Sequence, residues 1–414
     1  MNAVILSLGD ELMTGATVDT HSAWLSRRLL DVGVTVVRHV TVGDDPERIR
    51  QAILSAAAEA EVVIATGGLG PTVDDLSRQG LAAAMGVPLR EDGRSYQRIS
   101  AFFAKINRPM TPSNRVQASV PEGAEALDNE CGTAPGLAGR VGHARVFILP
   151  GPPHEMTDMF ERQVLPRLDV SGCVVRRALH TFGAGESAVG ERIADLMARG
   201  RRPMVGTTVS GGVISVRIVA EGATPREARA LADRDACEVR RRLGEIIFGQ
   251  DDETLPSVVG AALAEAGATL AVAESCTGGM LGELITTVPG SSRYFLGGVV
   301  AYANGVKQRQ LGVPGEVLSA HGAVSEPVAS AMARGAHERL GADWGVAITG
   351  IAGPEGGSPE KPVGLIFIAV DGPGLKSPAV YRYLFPGERG FVRRRTCLAA
   401  LNHLRLLLRQ TGKS

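Results

Sequence analysis

The sequence predicts an α/β protein of three domains, and three observations predict it. A chain of 414 residues exceeds what one ordinary core holds, since single domains mostly run to about 100–200 residues. Its beginning and its end alternate short β-rich runs with amphipathic stretches, the βαβ pattern of a sheet covered by helices. Between them, residues 171–250 read as strand, helix, hairpin, helix, strand, a small α+β unit. The expected domains are 1–168, 171–250 and 252–412.

In the first domain the strands are "AVILSL", "VTVVRHV", "EVVIATGG" and "RVFILPG", and the helices are 21–32, 46–60, 75–86 and one after "RVFILPG"; the expectation is a parallel sheet. In the second, strand "VVRRALHTFG" leads to a helix over 185–199, a hairpin turning at Gly211–Gly212, a helix over 225–243 and strand "EIIFGQ". The third begins with a helix over 254–267, strand "TLAVAES" and a helix from 277. It continues with "FLGGVVAYANGVK", a helix over 326–340, the strands "WGVAITG", "GLIFIAV" and "AVYRYLF", and a long basic helix. Ligands of such folds sit in the loops at the carboxyl ends of strands.

Composition narrows the classes. Apolar residues make up 44% and charged ones 21%, which fits a soluble globular protein. Lys plus Arg and Asp plus Glu both number 44, so no global field favours nucleic acid or an anionic membrane. No run of about 18 apolar residues appears, and "AVILSLGDEL" lacks the marks of a secretory leader. The five cysteines are odd in number and form no C-x-x-C or Cys/His cluster, against a disulfide framework or structural zinc. The expectation is a cytoplasmic protein.

"TGGLGPTVDD" runs from a strand end into a helix. Gly67, Gly68 and Gly70 allow close backbone approach to a phosphate, with Thr72 beside them, and neither a Walker loop nor G-x-G-x-x-G is present. Asp10, Glu11, Asp74, Asp75 and Glu155 can gather at the same sheet edge, where carboxylates plus phosphates hold a hard divalent cation. "GDELMTG", "TGGLGPTVDD", "NECGTAPG" and "LPGPPHEM" resemble the molybdopterin-binding-like N-terminal domain of the CinA family. The resemblance implies an α/β sandwich with ADP-ribose pyrophosphatase activity, water attacking the pyrophosphate to give AMP and ribose 5-phosphate. It makes Gly67, Gly68, Gly70, Thr72 and Pro152 the pyrophosphate-binding candidates and Glu11, Asp74, Asp75 and Glu155 the metal candidates, for magnesium, manganese or cobalt. The alternative is a domain that only binds a pterin or nucleotide and signals its occupancy.

"AESCTGG" puts a serine, a cysteine and a threonine where a strand hands over to a helix, whose first amides are candidates for an oxyanion hole. Ser275 needs a base, and "VVAYANGVK" supplies Tyr302, Asn304 and Lys307; a Ser–Lys dyad with a desolvated lysine is one solution. Cys276 is the rival nucleophile, without an evident activating histidine. "ITGIAGPEGGSPEKPVG" offers Thr349 and Gly350, and "FPGERGFVRRR" offers Arg389, a guanidinium suited to phosphate, with Arg393–Arg395 expected on a solvated helix face.

These four segments resemble the nicotinamide-nucleotide amidohydrolase (PncC) family over nearly all of 252–412. The resemblance implies a serine nucleophile, Ser275, with Lys307 as base. Tyr302 supports them, and Cys276, Thr277, Gly278, Asn304, Thr349, Gly350 and Arg389 bind substrate. The implied reaction converts nicotinamide mononucleotide (NMN) to nicotinate mononucleotide and ammonia, with no metal at this site and a homodimer expected. The middle unit resembles the KH-like linker of full-length CinA proteins. It shows no helix pair around a G-x-x-G loop, so nucleic acid is not expected as a partner despite "ARGRRP" and Arg240–Arg242. A membrane is not expected either, and a DNA-handling role would rest on the family's name alone.

Overall fold

A strand without polar alternation has to be buried on both faces, and Asn2–Leu8 is: six of its seven residues are inaccessible. In the computed structural model, which describes residues 1–168 and 173–411, this strand lies in a six-stranded sheet. The expected boundaries at residues 171 and 412 lie outside the described residues. Chain contacts divide the protein into two compact units, Met1–Val175 with Ala220–Leu231, and Arg176–Val219 with Ala232 onward.

In the first unit the sheet runs in the order Thr35–Val42, Asn2–Leu8, Val62–Thr66, Ala144–Leu149, Gly136–Val141, Glu125–Leu127. Side chains alternate across it. Val4 and Leu6 pack with Ile49 and Ile53 of helix Pro46–Glu59, whereas Ala3 and Ile5 pack with Leu25 and Leu29 of helix His21–Asp31. Only the first four strands are parallel. Gly136–Val141 and Ala144–Leu149 close a hairpin across Gly142–His143, so the expected parallel sheet is mixed. Its antiparallel edge strands of three and six residues carried too little pattern to be read, and helix Gly93–Lys105 also went unread.

Met204–Ser210, Val213–Gly222, Cys173–Thr181 and Ile247–Gln250 form a four-stranded sheet in that order. The hairpin turns at Gly211 and Gly212, both at positive φ (57° and 87°), which a tight two-residue turn of this twist requires. The helix expected over 185–199 closes at Arg192, where Ile193 leaves the helical region with φ −123° and ψ 19°. A five-stranded sheet comes next: Phe295–Val300, Leu270–Glu274, Trp344–Gly350, Leu365–Asp371, Ala379–Leu384, the first three parallel and the rest antiparallel. The helix expected from 277 starts at Met280, after a turn, and helix Gly315–His321 went unread.

The C-terminal helix, Arg389–Thr411, is less a basic surface than a core element. Leu401, Leu404 and Leu408 join Val259 and Leu263 of helix Leu255–Glu265 in one apolar cluster, which also takes in Phe182 and Phe248. Arg405 is 1% exposed and has no carboxylate partner among the described residues. Its guanidinium donates to the carbonyls of Glu245 (2.8 Å) and Ile247 (3.4 Å) and to Asn402, and burial lowers its pKa to about 10. No described helix is long and apolar enough to cross a membrane.

His403 on this helix gives the fold a pH dependence. The Tyr381 ring stacks on it at 3.4 Å, the Tyr383 hydroxyl lies 2.6 Å from Nε2, and burial pushes its pKa down to about 4. Between that value and the ordinary 6.5 the unfolded chain takes up a proton that the native protein refuses, so stability falls on acidification through this window. By pH 4.5 the loss amounts to about 2.5 kcal/mol. His403→Phe removes the titration, so its unfolding free energy, from urea denaturation, is expected to fall by that much less between pH 7 and 4.5. Equal losses in both proteins would refute the assignment.

Candidate functional site

Strand Leu270–Glu274 is central, paired in parallel with Phe295–Val300 on one side and Trp344–Gly350 on the other, and all five residues are buried. Rigid pairing on both sides fixes the position of the residues just beyond its end. Ser275 donates its amide to the Ile348 carbonyl (3.0 Å), and residues 276–279 form a turn before helix Met280–Thr286.

The next strand ends at Val300 and the chain enters helix Asn304–Leu311, which carries Lys307 back over the strand ends. Lys307 is 1% exposed, and its Nζ lies 3.2 Å from Ser275 Oγ, 2.7 Å from the Ala301 carbonyl and 2.9 Å from that of Tyr302. Desolvation lowers its pKa, opposed only by Cys276. A neutral amine has two N–H bonds and one lone pair. As placed, Nζ donates to all three oxygens; in a neutral amine whose two hydrogens went to the carbonyls, the lone pair would face the serine hydroxyl. The expected dyad is therefore assembled.

Cys276, the rival, is buried, and burial pushes its thiol pKa up to about 12, so it stays protonated and unreactive at neutral pH. Thr277 is fully buried with its hydroxyl unpartnered, while Gly278 donates its amide to the Ser275 carbonyl (3.2 Å). Tyr302 supports Lys307 through its backbone carbonyl rather than its ring. The ring is 62% exposed, and its hydroxyl meets Arg389 Nη2 at 3.4 Å. Arg389 also donates to the Gly353 carbonyl (2.8 Å), so it ties the 302 and 353 loops together at the start of the C-terminal helix.

Asn304 is exposed at the first position of its helix. Thr349 and Gly350 end the strand Trp344–Gly350. The Thr349 hydroxyl is buried and donates to the Ala323 carbonyl (2.8 Å), and a Cβ on Gly350 would meet Ile366 and the Leu365 carbonyl.

Two residues escaped the sequence reading. Glu274, 1% exposed, turns its carboxylate onto the amides of Gly279, Leu281 and Gly282. The signal was a carboxylate inside the apolar run "TLAVAES", where only a fully hydrogen-bonded acid is tolerated. Arg393, expected on a solvated face, donates to the Thr277 carbonyl (2.6 Å). Arg394 is exposed, as expected, and Arg395 lies over the rings of Phe385 and Phe391 at 5.0 and 5.9 Å.

Of the amides at the start of this helix, the Glu274 carboxylate takes those of Leu281 and Gly282.

The glycine loop of the first unit is more self-contained than expected. Gly67 donates its amide to Leu149 (3.0 Å), and Gly70 and Thr72 donate theirs to the Asp75 carboxylate (both 2.8 Å), which also takes the Thr72 hydroxyl. Gly68 keeps an amide without an acceptor among the described residues. Beneath them Arg78, 1% exposed, donates to the carbonyls of Leu69 and Gly70, and burial brings its pKa to about 10. Pro152 is exposed at the start of helix Pro153–Met159.

Among the metal candidates, Asp75 is thus spent on its own loop, and Glu155 accepts from Asn129 (2.6 Å). Asp74, whose carboxyl a Thr72 hydrogen bond holds below the usual carboxylate range, and Glu11 lie near Asp10 and Asp44, which exchange amide-to-carboxylate bonds of 2.9 and 3.1 Å. Burial raises the Asp44 pKa, and the charges of Asp10, Glu11 and Asp74 raise it further. Among the described residues no three His, Cys, Asp or Glu side chains converge as a ligand set. The charge crowding fits a divalent cation held by one or two carboxylates together with ligand phosphates.

In the basic clusters of residues 198–203 and 240–242, Arg201 pairs with Asp235, Arg241 with Glu238, and Arg242 with Asp195 and Glu238, while Arg240 donates to Gln250.

Comparison with known proteins gives matches along the whole chain. Residues 4–170 match the probable molybdopterin binding domain, 176–249 the damage-inducible protein CinA KH domain, and 252–408 the CinA C-terminal domain. A protein of Moorella thermoacetica named for competence and damage induction is 46% identical over 97% of both chains. A CinA-like protein of Parasynechococcus marenigrum is 44% identical over 97% of both, and one of Dictyoglomus thermophilum 41% over 98% of both.

Proposed function

We propose, for a chain that belongs to the CinA family and carries its three domains in order, hydrolysis of the carboxamide of NMN to nicotinate mononucleotide and ammonia. The observation that carries this reading is the 3.2 Å contact between a buried lysine and Ser275. Ser275 Oγ attacks the amide carbon as Lys307 takes its proton. The resulting ammonium form of Lys307 returns that proton to the departing nitrogen, which leaves as ammonia. Water, deprotonated by the same amine, then attacks the acyl-enzyme, and the ammonium passes that proton to Ser275 Oγ as the ester bond breaks and the acid product leaves as its carboxylate. Arg389, with Tyr302 and Gly353 fixing its direction, is the group suited to the phosphate of the nucleotide. No step draws on a metal ion, so purified protein is expected to release ammonia from NMN in the presence of a chelator. Failure to do so would refute the reading.

A second activity has its own observation, the crowded carboxylates around Asp44 beside the glycine loop. They support metal-dependent hydrolysis of ADP-ribose to AMP and ribose 5-phosphate in the first unit. Glu11, Asp44 and Asp74 are the residues that would share a divalent cation with the pyrophosphate. Such a cation, when bound, screens charge on the leaving phosphate. With magnesium, manganese or cobalt, AMP is expected from ADP-ribose, and Asp44→Asn is expected to slow its release at least tenfold. Binding of ADP-ribose without AMP in any of the three metals would favour the non-catalytic sensing domain instead.

A further inference from the structure

A buried carboxylate needs donors, and among the described residues Glu274 obtains them from the turn after the nucleophile and the start of the helix that follows it. Oε2 accepts from the amides of Gly279 (3.1 Å) and Leu281 (3.0 Å), and Oε1 accepts from that of Gly282 (2.8 Å). Among the described residues no cation pairs with it, so these three amides replace its hydration. Glu274 is also the last residue of the central strand, adjacent in sequence to Ser275. Its backbone is thus held by the sheet and its side chain by the far end of the turn.

The remaining amides of this segment can be accounted for one by one. Ser275 donates to Ile348 (3.0 Å), Gly278 to Ser275 (3.2 Å) and Met280 to Thr277 (3.2 Å). That of Thr277 has no acceptor among the described residues, and that of Cys276, immediately after the nucleophile, has none but its own sulfur. Buried backbone donors without a partner are rare, and Thr277, fully buried, carries one. The Thr277 hydroxyl beside it is fully buried and equally unpartnered, an independent sign that this turn is completed by a ligand atom. From the other side Arg393 holds the Thr277 carbonyl at 2.6 Å.

We propose that Glu274 is the positioning residue of this turn: by taking the amides of Gly279, Leu281 and Gly282, it fixes those of Cys276 and Thr277, with the Thr277 hydroxyl, as the oxyanion hole for attack by Ser275. The proposal rests on Ser275 being an acyl-transfer nucleophile. The tetrahedral oxygen formed at the amide carbon gains its negative charge within reach of donors already fixed in place, which is where such stabilisation is largest.

Glu274→Gln tests it, because the amide group keeps the size but turns its own N–H donors toward backbone N–H groups. The expected result is a fall of about 100-fold in kcat, the scale of losing an oxyanion donor. KM for NMN should stay within about twofold and the pH limb set by Lys307 should not move. Phosphonylation of Ser275 by a fluorophosphonate should slow in parallel. That second assay separates the two claims. A wild-type protein that is phosphonylated but leaves NMN intact ends the NMN reading, while the labelling rates still decide the role of Glu274. Wild-type rates in folded Glu274→Gln, or a fall accompanied by a moved pH limb, would overturn the proposal. If that variant does not fold, Thr277→Val decides it: a loss of at least tenfold in labelling rate supports the oxyanion hole, and an unchanged rate refutes it.

Discussion

Lys307→Met is expected to lower kcat for NMN deamidation by at least about 1,000-fold, and Ser275→Ala by a similar factor, with the double variant no worse than either. Non-additivity is expected because the two groups act as one unit. Lys307→Arg is expected to fail as badly. A guanidinium stays protonated at every working pH and has no lone pair to accept the serine proton. In the wild type the active form is the neutral amine, so kcat/KM rises with pH through the pKa of Lys307. Burial places that rise below the 10.5 of an ordinary lysine. Near-normal turnover in Ser275→Ala together with loss in Cys276→Ala would transfer the nucleophile to the thiol. The buried thiol's pKa of about 12 argues against that outcome.

Gly335→Ala is expected to cost both stability and turnover, although it lies outside the site. Gly335 sits inside helix Glu326–Leu340, where a Cβ would come within 1.9 Å of the Leu311 carbonyl oxygen and 2.7 Å of its carbon. Alanine gains about 1 kcal/mol of helix propensity over glycine. Overpacking against rigid backbone costs about 1–3 kcal/mol, more where nothing can rotate away, so the clash decides the sign. Leu311 ends the helix that carries Lys307 one turn earlier. Any displacement that relieves the clash therefore carries Nζ away from Ser275. The expected result is a stability lower by about 2 kcal/mol, read from the denaturation midpoint, and a fall in kcat with little change in KM. A variant with wild-type midpoint and wild-type kcat would refute this coupling.

The elements were legible wherever a long apolar or amphipathic period marked them. The buried strands Asn2–Leu8 and Trp344–Gly350 and the helix Glu326–Leu340 lie close to where their patterns put them. Short antiparallel edges such as Glu125–Leu127 were illegible, because three residues cannot display a period of two. Candidate site residues fared according to whether a side chain or a peptide group did the work. Ser275 and Lys307 announce their chemistry by residue type. Tyr302 does not, since it holds the lysine with its backbone carbonyl, and neither does Thr349, whose hydroxyl closes a contact within the sheet edge.

By itself, then, the sequence determined the α/β alternation, the order of the three segments and the residue types available for acyl transfer, because periodicity and side-chain chemistry are local properties. Tertiary structure decided which of those groups meet. It brought an amine to a hydroxyl 32 positions away, buried it deeply enough to lower its pKa, and left a carboxylate inside the core with three amides as its partners. Burial and hydrogen-bond satisfaction depend on what packs from distant parts of the chain, so no local pattern could express them.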